Sequence, residues 1–268
     1  AQRWINLPGF GSVQPSEFMK LGMPMMCAWF LSKRDLPPSL SSIAITLALI
    51  VVPVLLIAKE PDLGTSLLVA ASGIFVLFLA GLSWRLIASA AALAVPLVAF
   101  AWNFLLHDYQ RTRVLTLFNP EADVQGAGWN IIQSKTAIGA GGLTGKGYLE
   151  GTQSHLHFLP EGHTDFIIAA FSEEFGLLGV ILLMFIYACL LMRALYIAFS
   201  HPDVYSRLLA GAIAMSFFVY IFVNVGMVGG ILPVVGVPLP FISYGGTAIV
   251  TLMAGFGLLM SIHTHKSS

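Results

Sequence analysis

LPEGHTDFIIAAFSEEFG, residues 159–176, is the stretch on which the reading of this chain turns. A polar loop carrying Glu161, His163 and Asp165 runs straight into a strongly apolar helix. Nearly all the polar chemistry of a greasy protein is thereby focused at one membrane surface.

The composition around that stretch sets the class. The chain is 57% hydrophobic and 10% charged, with a mean hydropathy of +0.85. Those values lie outside soluble globular composition and in the range of a polytopic membrane protein. Thirteen Lys and Arg balance thirteen Asp and Glu. No strongly basic surface is on offer to nucleic acid, and the placement of the charges matters more than their sum. Cys27 and Cys189 fall inside apolar segments without a CxxC partner and read as buried thiols. The first residue is Ala and no leader pattern precedes the body of the chain, which reads as a fragment.

Seven apolar spans are long enough to cross roughly 30 Å of hydrocarbon as helices. They lie near 15–32, 41–58, 64–82, 85–106, 166–198, 205–228 and 246–263. The expected fold is therefore an all-α, polytopic membrane bundle. Two connections are long. Residues 107–165 form a polar insert, rich in Gly and charge, that is too hydrophilic for lipid. Residues 229–246, GGILPVVGVPLPFISYGG, hold Pro233, Pro238 and Pro240, which forbid a continuous helix and predict a re-entrant or surface loop packed on protein.

Orientation follows from the short basic loops. Lys33, Arg34, Arg85, Arg193, Arg207 and Lys266 fall on one side under alternating topology, and that side is the cytoplasm. Both polar inserts then face outward, away from cytoplasmic nucleotides. Chemistry there needs a substrate that carries its own leaving group.

Four charged residues sit within the spans. Glu17 and Lys20, three apart at the outer end of the first span, share a helix face. They read either as a snorkelling interfacial ion pair or as substrate contacts. Glu173 and Glu174, on a continuous helix from Asp165, would lie roughly 12 to 13 Å into the bilayer. Two lipid-facing glutamates there would cost on the order of 5 to 7 kcal/mol, so they must face protein or water. A structural network inside the bundle and a role with substrate both remain open.

Two tempting motifs are weak. Residues 139–147, GAGGLTGKG, resemble a phosphate loop but have Ala140 where Gly is needed and Gly147 where Ser or Thr should follow the lysine. A flexible loop is the plainer expectation, with Lys146 and backbone amides as an anion site the alternative. His155, His157, His163 and Asp165 lack the spacing of a zinc site. Asp165 itself reads equally as the cap of the helix that starts at Phe166.

Residues 3–20 (RWINLPGFGSVQPSEFMK), 59–68 (KEPDLGTSLL), 118–147, 151–176 and 230–246, in this order, closely resemble the SEDS family of shape, elongation, division and sporulation proteins, and its elongation branch more than its division branch. The resemblance covers essentially the whole chain. It implies a single SEDS-type transmembrane domain over 1–268, the last seven spans of a ten-span fold, with 107–165 as its large extracytoplasmic loop. It implies a multi-pass protein of the bacterial cytoplasmic (inner) membrane that polymerises lipid II for cell elongation and releases undecaprenyl diphosphate. It implies a class B penicillin-binding protein as transpeptidase partner. The family's essential aspartate carries over to Asp165, its Glu and Lys of the QPSEFMK segment to Glu17 and Lys20, and its Trp before that segment to Trp4.

The chemistry asked of these residues is coherent. A sugar hydroxyl is a poor nucleophile until its proton is removed, and Asp165 is the carboxylate placed to do so. A diphosphate leaves already stabilised as an anion, so a second carboxyl group is not required as it is in a glycoside hydrolase. Arg111, Arg113, Lys135, Lys20 or a bound divalent cation (Mg or Mn) are candidates to neutralise it, with no organic cofactor expected. Glu161, His163 and Thr164 flank Asp165 as substrate-binding candidates. The competing reading is a lipid II flippase working through Lys20, Glu173 and Glu174. A transporter should concentrate its polar groups near the midplane, whereas here they gather at the outer loop.

Overall fold

The computed structural model describes residues 4–7, 11–60, 62–104, 106, 108–123, 127–152 and 162–265. A two-stranded antiparallel hairpin, β1 (Ile5–Leu7) and β2 (Gly11–Val13), pairs Ile5 with Val13 and Leu7 with Gly11. Everything regular after it is helical: α1 (Pro15–Ser32), α2 (Leu40–Lys59), α3 (Leu63–Leu79), α4 (Trp84–Phe104), α5 (Asp108–Phe118), α6 (Ala127–Gly141), α7 (Ile167–Ser200), α8 (Val204–Val228) and α9 (Gly246–Thr264), with a 3-10 turn at Pro120–Asp123. The all-α expectation holds apart from the hairpin.

The starts of these helices follow local chemistry. Pro15 opens α1, where a missing N–H costs nothing. The Ser39 hydroxyl accepts from the Ser42 N–H at the head of α2, and the Asp62 carboxylate accepts from the Thr65 N–H at 3.1 Å at the head of α3. Five helices (α2, α4, α7, α8 and α9) are long and apolar enough to cross a membrane, and α3 is a shorter apolar helix. α1 matches its expected bounds but carries Glu17 and Lys20. The chain is a multi-pass membrane protein.

The structure forms two compact units. One takes the described residues of 1–81, 185–222 and 240–268. Its core gathers Met23, Cys27 and Leu31 of α1, Ile50 and Ile57 of α2, Val69 and Val76 of α3, Ala194 and Ile197 of α7, Leu208 and Ile213 of α8, and Leu259 of α9. Small residues let these helices approach, as expected where lipid supplies no hydrophobic drive between them. A Cβ on Gly73 would lie 2.6 Å from Ile50 Cγ1 and 3.2 Å from Met23 Cγ, and one on Gly211 would lie 2.5 Å from Leu79 Cδ1.

The other unit takes the described residues of 82–184 and 223–239. Its α4 has no buried residue. The polar insert, expected as loop, carries α5 and α6. The face of α6 formed by Ile131, Ser134 and Ala137 is buried, and the Ser134 hydroxyl donates to the Val228 carbonyl at 2.9 Å.

Three expectations need correction. α7 is not one straight helix: Gly176, at φ 64° and ψ −167°, breaks it into Ile167–Phe175 and Leu177–Ser200. The break falls just after Glu173 and Glu174, which ride on a short helix distinct from the long one that begins at Leu177. The GAGGLTGKG segment is not a flexible loop. Its backbone docks on that break, with Lys146 N–H donating to the Glu173 carbonyl, Gly147 N–H to the Glu174 carbonyl, and Leu177 and Leu178 N–H to the carbonyls of Gly142 and Leu143, all within 3.0–3.1 Å. Glycine is required, since a Cβ on Gly145 would fall 2.0 Å from the Glu174 carbonyl oxygen. Finally, Cys27 is buried as expected but Cys189 is exposed on α7.

Candidate active site

The proline-rich loop organises the predicted site. It begins at Gly229, after α8 ends at Val228, and three of the sequence candidates meet it from different elements. Arg113 of α5 donates from Nη1 to the Val234 carbonyl at 3.1 Å. Lys135 of α6 reaches over Gly230, where a Cβ would sit 2.6 Å from its Nζ. The Asp165 carboxylate lies over Gly236, where a Cβ would stand 3.3 Å from Oδ2. Gly230 and Gly236 have φ of +69° and +73°, a region that L side chains avoid. Each glycine thus supplies both the turn and the space for a charged side chain.

Asp165 is fixed from below by a residue that sequence reasoning missed. Asn224, wholly buried in α8, donates from Nδ2 to the Asp165 carbonyl at 2.8 Å and to the Val237 carbonyl at 2.7 Å. One amide thereby ties the turn bearing Asp165 to the middle of the proline-rich loop. An Asn inside an apolar helix is costly unless it has partners, and that was the available signal.

The remaining candidates divide. His163 is exposed and Thr164 half-buried in the same turn as Asp165. Arg111 donates to the Asn103 carbonyl at 3.1 Å, and its Nε is buried without a hydrogen-bond partner. Glu161, His155 and His157 lie outside the described residues. Among the described residues no three His, Cys, Asp or Glu side chains converge as a metal cage.

Glu17 and Lys20 belong to the other unit. Their side chains are only 7% exposed and 2.5 Å apart, so they do not snorkel. Lys20 Nζ also lies 4.9 Å from the centroid of the Tyr220 ring. Glu17 Oε2 is buried with no hydrogen-bond partner. Trp4 is 51% exposed at the head of the hairpin.

Glu173 resolves toward a structural network. Its carboxylate is fully buried, and Oε1 accepts from Lys146 Nζ at 2.8 Å, from the Thr152 N–H at 2.9 Å and from the Thr152 hydroxyl at 3.1 Å. The lysine of the false phosphate loop is the counter-ion of this glutamate.

The family model of the FtsW/RodA/SpoVE cell cycle proteins matches residues 1–268, the whole chain. The chain belongs to that family. It is 57% identical over 266 residues to the peptidoglycan glycosyltransferase MrdB of Escherichia coli K12, covering 99% of this chain and 72% of the relative. A probable peptidoglycan glycosyltransferase FtsW of Trichlorobacter lovleyi is 40% identical, with 98% of this chain and 68% of that one covered. Among solved structures, a chain from work on coordination of polymerization and crosslinking by a peptidoglycan synthase complex superposes with a TM-score of 0.84 at 31% identity, covering 100% of this chain and 74% of that one. The rod shape determining protein RodA of Thermus thermophilus gives a TM-score of 0.68 at 28% identity, covering 100% and 71%. The SEDS resemblance read from the five sequence segments is this same family.

Proposed function

We propose that this protein is a peptidoglycan glycosyltransferase that polymerises lipid II at the outer face of the bacterial cytoplasmic membrane. The observation that carries the reading is that one carboxylate, Asp165, and two cationic side chains, Lys135 and Arg113, all pack on one proline-rich loop. Kinship with named glycosyltransferases supports it. Counting α1 and α3 with the five longer helices as spans, alternating topology with the basic loops toward the cytoplasm supports an outward-facing loop.

In the reaction, the acceptor sugar hydroxyl attacks the anomeric carbon of the donor. The bond from that carbon to the phosphate oxygen breaks, the electron pair leaves with undecaprenyl diphosphate, and the hydroxyl proton passes to Asp165. General-base catalysis of this kind contributes about 10² to 10⁴ in rate. Direct displacement inverts the α-linked donor to a β-linked product. Lys135 and Arg113 are the cations proposed to offset the charge that develops on the diphosphate. A magnesium or manganese ion would share the diphosphate oxygens rather than the Asp165 carboxylate, whose basicity a bound cation would suppress. It would supply further charge neutralisation.

The unpartnered Glu17 Oε2 supports Glu17 and Lys20 as substrate contacts rather than a closed ion pair, because buried acceptors are rarely left unsatisfied. The kinship with a chain of a peptidoglycan synthase complex supports a class B penicillin-binding protein as the crosslinking partner. The flippase alternative loses support because Glu173, one of its carriers, is tied to Lys146 and Thr152.

Leaflet-restricted lipid II in vesicles tests the proposal. Polymer is expected only when lipid II occupies the leaflet facing the 107–165 segment, with no transbilayer movement required. Movement of lipid II without polymer from either leaflet, in the presence of the partner and insensitive to Asp165→Asn, would overturn it.

A further inference from the structure

The segment 142–149 that docks on the break of α7 has an outward side, and that side is apolar. Leu143 is 68% exposed, Tyr148 70% and Leu149 58%, with Phe175 beside them, its ring 6.2 Å from that of Tyr148. The one cation of the segment, Lys146, is turned inward to Glu173. Leu149 holds a φ of 62°, a conformation unfavourable for a residue with a Cβ. Thr144 and Glu150 are the exposed side chains of the loop that carry polar groups besides Tyr148.

The height of this patch is fixed by hydrogen bonds. The Leu177 and Leu178 N–H groups, the first after the break, donate to the carbonyls of Gly142 and Leu143. Leu177 to Ser200 is long enough to cross the hydrocarbon, about 36 Å at helical rise. Leu177, Leu178, Ile181 and Leu182 are all exposed, so an exposed apolar surface continues from the span into the loop. Aromatic and aliphatic residues at such a level belong to the headgroup boundary.

We propose that Leu143, Tyr148, Leu149 and Phe175 form a membrane-interface anchor that inserts into the outer leaflet. The partner is the lipid surface itself, engaged by apolar contact rather than by charge. Through the Glu173 and Gly145 contacts the anchor sets the height above the bilayer of the short helix that follows Asp165. Its catalytic consequence, holding the base level with a lipid-linked diphosphate, rests on the polymerase reading, whereas the anchor does not.

The test is site-directed spin labelling in phosphatidylcholine vesicles, in a Cys189→Ser background with Cys27 left buried. Labels are placed at Tyr148→Cys and Leu149→Cys, with Leu178→Cys as the lipid reference and Glu121→Cys as the water reference. Both loop labels should collide with oxygen more readily than with a water-soluble nickel complex, as Leu178 does, and the ratio should not change when anionic phosphatidylglycerol is added. A ratio equal to that at Glu121 would place the loop in water and overturn the anchor. Poor access to both reagents would mean that protein covers the patch, which also overturns it. Lipid contact that appears only with phosphatidylglycerol would make the attachment electrostatic and refute the apolar mechanism.

Discussion

Lys146→Met should destabilise the protein more than Glu173→Gln, and the two together less than their sum. Glu173 is fully buried and Lys146 is its counter-ion at 2.8 Å, while the lysine side chain is itself 30% exposed. Stripping one partner from a buried pair costs about 3 to 5 kcal/mol. Here the Thr152 N–H and hydroxyl still reach Oε1 and water reaches the lysine end, so about 2 to 3 kcal/mol is expected. Glu173→Gln keeps an acceptor for Thr152 and removes the buried charge, for a loss of about 1 kcal/mol. On that background Lys146→Met removes the part-exposed ammonium's hydrogen bonds to the residue-173 amide oxygen and the Thr152 hydroxyl, and costs about 0.5 to 1 kcal/mol more. The coupling is then about 1.5 to 2 kcal/mol, readable from unfolding of the four proteins in mixed detergent micelles. Additivity within about 0.5 kcal/mol would refute the claim that this ion pair clamps the loop to α7.

Asn224→Ala leaves the Asp165 and Val237 carbonyls buried and unsatisfied, at about 1 to 3 kcal/mol each, partly offset by removal of the unpartnered Asn224 Oδ1. Asn224→Asp keeps the shape but loses both donors, so in thermal melts it should be at least as damaging as Ala; wild-type behaviour would show that packing alone matters. Asp203, in the connection before α8, accepts from the Ser206 N–H and hydroxyl, and the Ser206 backbone hydrogen bond foremost holds its carboxyl below the usual value. A depressed folded value means that its contribution is fully present above the unfolded value, about 3.9, and is lost as pH falls through the folded one. The small stability difference between wild type and Asp203→Asn should therefore shrink below about pH 4, and a difference that instead grows in acid would contradict the cap.

The sequence made the helices legible because apolar length is a strong signal in membrane proteins. α2 (Leu40–Lys59) and α8 (Val204–Val228) fall within a residue of their expected bounds. The hairpin escaped notice because two three-residue strands flanking Pro8 and Gly9 show no periodicity worth reading. The break at Gly176 was hidden because a lone glycine in an apolar run is ordinarily tolerated in a helix. It is decided by a distant partner, the 142–147 backbone. Asp165, Lys135 and Arg113 were legible as chemistry, but that Gly230 and Gly236 would seat two of them depends on backbone angles that spacing does not reveal. Asn224 is legible as a polar residue in an apolar helix, but the two carbonyls that satisfy it come from distant segments.

The most direct measurement of the central claim is glycan polymer formed from purified lipid II by Asp165→Asn, in vesicles with the crosslinking partner present and with melting temperature recorded alongside. An amide still caps a helix but cannot take a proton at neutral pH. The account predicts an unchanged melting temperature and a loss of polymerisation of at least about 10²-fold. Wild-type polymer yield from the well-folded variant would contradict the assignment of Asp165 as the base.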